Sequence, residues 1–153
     1  MKKYIGTKMI EAKPMNRGDY NAYRGWTIPE NENPAEEGYL VVDTDSDNYE
    51  SWSPKDVFDR AYRSCDGGMT FGGALELLKM GFKVARKGWN GKKQYIQLAT
   101  GISYSSPDGE IVNCEHDAIG NKAIAFAGTS GIQIGWLASQ ADMLAEDWYT
   151  VYN

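Results

Sequence analysis

Cys65-Asp66-Gly67-Gly68 constrains the architecture of this chain more than any other stretch. Two adjacent glycines near the middle of 153 residues interrupt any helix or strand that would run through them. Met69-Thr70-Phe71 then reads as a fresh start, with Thr70 placed to cap a helix. The chain is therefore expected to fold as two short units, residues 1–66 and 69–153, each the size of a small domain.

Within both halves the pattern predicts an α+β fold, small antiparallel sheets each with one or two short helices. Residues 4–13 alternate well enough to form a strand ending at Pro14. After a polar loop around Asn31-Glu32-Asn33-Pro34 and Glu36-Glu37-Gly38, residues 39–42 and 48–52 predict a hairpin turning through Asp43 to Asp47. Ser53-Pro54 predicts a helix start, with Ser53 as N-cap and Pro54 in the first helical position. Val57, Phe58, Ala61 and Tyr62 would be its buried stripe, giving a β-rich first unit with one helix.

In the second unit a helix begins after Thr70, with Phe71, Ala74, Leu75, Leu78 and Met80 as its apolar face, and Gly81 ends it. Strands are expected at 83–86, 94–99, 110–114 and 131–136, a short helix around 140–145, and a last strand at 148–152. Residues 113–130, rich in Gly and Ala, are long for a loop and are expected to form a ligand-facing lid.

Composition narrows the function classes. The chain is 42% hydrophobic and 24% charged, as suits a soluble protein. No continuous apolar stretch follows Lys2 and Lys3, so neither a signal peptide nor a membrane span is expected. A net charge of −5 argues against binding polymeric nucleic acid, which needs a basic footprint. The charge is uneven, however. Residues 1–66 hold nine Lys/Arg against thirteen Asp/Glu, and residues 67–153 hold seven against eight. Lys79, Lys83, Arg86, Lys87, Lys92 and Lys93 cluster with no acid among residues 79–93, a patch suited to a small anion or, equally, to a solvated face.

Signals for catalysis or metal binding fall short. Asp43-x-Asp45-x-Asp47 opens like a calcium loop, but Asn48 stands where Gly is required and no Glu follows at the twelfth position. Cys114-Glu115-His116-Asp117 has no second half, and Cys65 and Cys114 form no metal or redox spacing. There is a single His, no nucleophile elbow and no phosphate-binding Gly-rich loop. The expected inventory is no catalytic residue, no metal and no cofactor. Asp142 with Glu146 or Asp147 keeps a carboxylate hydrolase as a rival reading.

The remaining chemistry sits in two tryptophan-bearing segments. The first is Ala85-Arg86-Lys87-Gly88-Trp89-Asn90-Gly91. Here an indole can stack on a base, Asn90 can bond a base edge or ribose hydroxyl, and Arg86 can fork onto phosphate. The second runs from Trp136-Leu137-Ala138-Ser139-Gln140-Ala141-Asp142-Met143 to Trp148. Ser139 or Gln140 can cap a helix there, and Asp142 can accept from ribose or adenine. The competing reading for Trp89 is an anchor that pins a hairpin to the core, and for Leu144 plain core filling.

These two segments, together with Met69-Thr70-Phe71-Gly72-Gly73-Ala74-Leu75-Glu76-Leu77-Leu78-Lys79, closely resemble the second type of Thoeris anti-defence proteins of phages. The resemblance runs from Met69 to Tyr152. It implies a sponge that binds a cyclic ADP-ribose isomer made from NAD by a TIR-domain enzyme, and that holds the signal intact in the cytoplasm of the infected bacterium. It also implies a homotetramer with pockets between subunits. Some members of the family bind cyclic di- or trinucleotides of the CBASS pathway at a separate site.

Carried over by motif position, Trp89 and Trp136 would flank the ligand. Asn90 and Asp142 would bond its riboses or base, Arg86 would face its diphosphate, and Phe71 and Met143 would line the pocket. Residues 1–66 lie outside this pattern and look like a module common in phage proteins. A partner-binding phage protein and a signal-cleaving enzyme are the alternatives.

Overall fold

A computed structural model describes residues 1–89, 93–115 and 121–152. The chain divides into two compact units, Met1–Tyr62 and Arg63–Asn153, each of α+β architecture.

In the first unit β1 (Glu11–Pro14) leads through Asn16 into α1 (Arg17–Arg24). β2 (Gly38–Asp43) and β3 (Tyr49–Pro54) form the hairpin, and α2 (Lys55–Ala61) follows. The three strands pair antiparallel in the order β1-β2-β3. The expected strand over residues 4–13 is paired only from Glu11 to Pro14, because its partner β2 ends at Asp43 and Glu11 lies opposite Val42.

The unit holds two helices where the sequence predicts one. Asn16 caps α1 by accepting from the Asp19 N–H at 2.7 Å, and Gly25 closes it with φ 73°, the left-handed geometry glycine adopts freely. Both signals are in the sequence, but the helix between them is short and polar. α2 also starts one residue later than Ser53-Pro54 suggests. β3 carries through Pro54, which stands at the cap position without a side-chain hydrogen bond. Phe58 of α2 stacks on Tyr39 of β2 with centroids 4.0 Å apart.

The second unit opens with α3 (Phe71–Lys79), capped by Thr70, whose hydroxyl accepts from the Gly73 N–H at 3.2 Å. β4 (Lys83–Arg86) and β5 (Tyr95–Thr100) come next, followed by a two-stranded ribbon of β6 (Ser103–Ser105) and β7 (Ile111–Asn113). β8 (Lys122–Gly128), β9 (Gly131–Ile134), α4 (Gln140–Leu144) and β10 (Trp148–Val151) complete it. The main sheet is antiparallel in the order β10-β4-β5-β8-β9.

β8 overturns part of the expected lid: residues 122–128 form a strand paired on both sides, while residues 116–120 lie outside the described residues. Its alternation was masked by alanine. Ile124 and Phe126 lie opposite Leu98 and Ile96, whereas Ala123, Ala125 and Ala127 fill the other face without a β-branched signal.

Registers place Trp148, Thr150, Val84, Arg86, Ile96 and Phe126 on one face of the sheet. Val84, Ile96 and Trp148 are wholly buried there, and α3 contributes Ala74, Leu77 and Leu78 to the core. Leu77 joins the core although Met80 had been expected there; Met80 is half exposed. No helix among the described residues is long and apolar enough to cross a membrane.

Candidate functional site

Five rings from five places in the second unit meet over that sheet face. Phe71 begins α3, Trp89 lies in the turn after β4, Phe126 is on β8, Trp136 follows β9, and Trp148 begins β10. Trp89 stands edge-on to Trp148 at 5.3 Å, to Phe126 at 5.7 Å and to Trp136 at 6.0 Å between centroids. Phe71 completes the cluster at 5.4 Å from Trp148 and 6.4 Å from Trp136. Edge-to-face pairs of this kind add about 0.5–1.5 kcal/mol each beyond area burial. Trp148 is the closed centre; Phe71, Trp89, Phe126 and Trp136 remain partly exposed.

The arrangement matches the packing reading of Trp89. Its ring anchors the turn to the core and still shows a surface to solvent. Trp89 and Trp136 meet each other at an interplanar angle of 65°, so within one chain they form a single wall and not two jaws around a flat ligand.

Beside this wall lies an ionic cluster. The β10–β4 register sets Trp148 opposite Arg86, which brings Asp147 to the guanidinium. Arg86 donates from Nε to Asp147 at 3.0 Å and from one terminal nitrogen to Asp142 at 2.9 Å; its other terminal nitrogen reaches Asp147 at 3.5 Å. Asp142 also serves the fold. Ser139 caps α4 by accepting from the Asp142 N–H, while the Asp142 carboxylate accepts from the Ser139 N–H at 3.0 Å, a reciprocal capping box. Its other oxygen lies 3.4 Å from the indole N–H of Trp89. The indole of Trp148 donates to the Asp142 carbonyl at 3.0 Å.

The electrostatics follow from these contacts. Burial pushes the Asp142 carboxyl upward, but the Ser139 amide, Arg86, the Ser139 hydroxyl and Trp89 together hold it below the ordinary Asp value. Arg86 holds Asp147 below its usual range against a smaller opposing effect of burial. The hydrogen bonds to Asp147 and then Asp142 raise Arg86 in turn. One guanidinium thus faces two ionised carboxylates. A general acid needs a pKa raised toward neutrality, and this pair is tuned the opposite way.

Of the residues singled out from sequence, Trp89, Trp136, Phe71, Arg86 and Asp142 come together here. Met143 sits 46% exposed on α4. Asn90 lies outside the described residues. Sequence reasoning did not place Phe126 or Asp147 at this site. Phe126 was hidden in the alanine-rich stretch, and Asp147 was named only as a partner for Asp142. Among the described residues no group of His, Cys, Asp and Glu is arranged to hold a metal.

Residues 69–151, which contain this whole arrangement, match the Tad2-like family, described as the Thoeris anti-defense 2-like domain. A protein of Bacillus phage SP01 named Thoeris anti-defense 2 is 42% identical over 85 residues, an alignment covering 52% of this chain and 91% of that relative.

Proposed function

This chain belongs to the Thoeris anti-defense 2-like family, and on that premise we propose that it is a phage anti-defence protein that sequesters a cyclic ADP-ribose isomer without cleaving it. The observation that carries the reading is the contiguity of the partly exposed Trp89–Trp136 wall with Asp142 and Arg86. An aromatic surface beside an ionised carboxylate suits a nucleoside: the rings take the base, and Asp142 accepts from ribose hydroxyls. Arg86 first positions Asp142. It keeps one N–H on each terminal nitrogen with which to meet a diphosphate at the rim.

The depressed carboxylates support binding over hydrolysis, because neither is poised to donate a proton. A single wall requires an opposing surface. Leu137 and Leu144, 92% and 80% exposed, supply apolar area next to α4 against which a neighbouring copy would complete the pocket. In this reading the working form is a homo-oligomer, the tetramer that the resemblance implies, acting in the cytoplasm of the infected host. The family motif assigns Asn90 a hydrogen bond to ribose or base, and the half-exposed Met143 is assigned to the pocket wall.

Isothermal titration with TIR-produced cyclic ADP-ribose isomers, followed by heat release and chromatography, tests the proposal. Tight binding with ligand recovered unchanged is expected. A converted product would make the chain an enzyme. Absence of binding to every isomer, with binding to CBASS cyclic oligonucleotides instead, would move the site to another signal class.

A further inference from the structure

The first unit carries a strand without a partner and an edge without a strand. Residues 4–13 have strand alternation, yet only Glu11–Pro14 are paired. Lys8 is tied to Asp43 at 2.8 Å and Met9 and Ile10 are half-buried, but residues 1–7 before them are exposed, Tyr4 and Ile5 at 87% and 94%. An arm of β-forming residues that its own unit leaves bare is a candidate for pairing elsewhere.

On the opposite side of the sheet, β3 is the other edge. Tyr49, Glu50, Ser51 and Trp52 all line a cleft of about 530 Å³. Successive strand residues point to opposite faces, so a cleft touching four in a row reaches from the sheet face to the outer edge of β3, which has no strand neighbour on that side. Its far wall includes Tyr20, Arg24, Trp26 and Thr27. Trp26 is 53% exposed, with Arg24 stacked on it at 4.9 Å. Arg17 and Arg24 are paired with Glu32 and Glu50, which leaves the lining without excess positive charge.

Charge selects the occupant. Residues 1–7 hold two lysines and no acid, Lys8 being committed to Asp43, whereas residues 11–62 hold five Lys/Arg against twelve Asp/Glu, a net of −7. Asp45 and Asp47 lie in the hairpin turn beside the start of β3. A basic, β-forming arm therefore matches this edge in backbone, in apolar side chains and in charge. Seven residues of arm span roughly 23 Å and the six of β3 roughly 20 Å, so their lengths also agree.

We propose that the N-terminal arm of a second copy of this chain adds as a strand to β3, placing an apolar side chain in the Trp26–Trp52 cleft. This is strand addition with a segment of the protein itself as donor. It is independent of the ligand assigned to the second unit.

The test is disulfide trapping in the full chain with Cys65→Ser and Cys114→Ser. Chains carrying Ile5→Cys are mixed with separately tagged chains carrying Thr27→Cys and then oxidised. A covalent heterodimer on a non-reducing gel is expected, its yield falling several-fold between about 0.05 M and about 0.5 M NaCl as screening weakens the arm's attraction. Adding Trp26→Ala to the acceptor chain, checked by circular dichroism for retained fold, should lower the yield in the same way. No cross-link on mixing overturns the proposal. A cross-linked monomer from the double variant, without dimer, also overturns it by showing that the arm closes on its own cleft. A yield indifferent to both salt and Trp26 overturns it as collisional trapping.

Discussion

Arg86 and Asp142 meet at 2.9 Å across 56 positions of sequence, and that contact joins the β4–β10 edge of the sheet to the cap of α4. Asp142 is at once the capping-box residue, the counter-ion of Arg86 and the neighbour of the Trp89 indole. The proposed ligand chemistry and the local stability therefore run through one carboxylate.

Arg86→Ala should unfold the second unit more readily, by about 2–3 kcal/mol, because it leaves two part-buried carboxylates without their charged donor. Arg86→Lys should recover only part of this, since a point charge cannot fork onto Asp147 while reaching Asp142. Urea titration of both variants decides it. Equal stability of Arg86→Ala and the parent would remove the cluster from any structural role.

Acid should act late on this cluster. Asp142 and Asp147 have folded values below those of the unfolded chain, so their stabilising contribution is complete above about pH 4. It is lost as pH falls further through the folded values. Arg86 stays protonated throughout and adds no slope. Denaturation midpoints measured from pH 7 to pH 2.5 should show the drop in the acid limb, reduced in Asp142→Asn. A drop centred near pH 6 in the parent, absent from Asp142→Asn, would contradict the assignment.

The tryptophans should separate by burial. Trp148 is wholly enclosed, and Trp148→Ala should cost about 3–5 kcal/mol. Trp136→Ala, at the open side of the wall, should cost less than half of that while weakening ligand binding at least tenfold. Paired unfolding and calorimetry of the two variants would show it. Loss of binding only in step with loss of fold would argue that the wall is merely core.

Thr150 is 5% exposed, and its hydroxyl finds no partner among the described residues. Thr150→Val should be neutral or stabilising by up to about 1 kcal/mol, since removing an unpaired buried hydroxyl relieves its desolvation. Thermal unfolding measures this directly. A clear destabilisation would mean that the hydroxyl is bonded in solution.

Much of the local structure was legible from residue pattern. Thr70 and Gly81 bracket α3, Ser139 caps α4, and the hairpin of β2 and β3 turns through its acidic loop much as the spacing of apolar residues suggests. What escaped was structure whose signal is weak by itself. α1 is short and polar, held by a cap at each end, and β8 presents alanines to one face, so neither shows strong periodicity. Of the candidate site, the tryptophans, Arg86 and Asp142 were visible as residue types capable of nucleotide chemistry. Their mutual commitments were not.

The sequence by itself determined the α+β class, the caps of α3 and α4 and the family resemblance of the second half, because each rests on neighbours within a few positions or on a contiguous motif. Only the tertiary structure decided that Arg86 is neutralised by Asp142 and Asp147, that Trp89 and Trp136 make one wall, and that Phe126 belongs to it. Those relations depend on sheet register. Pairing β10 with β4 and β5 with β8 brings together residues tens of positions apart, and the free energy selecting that register comes from burying Trp148, Val84 and Ile96 together.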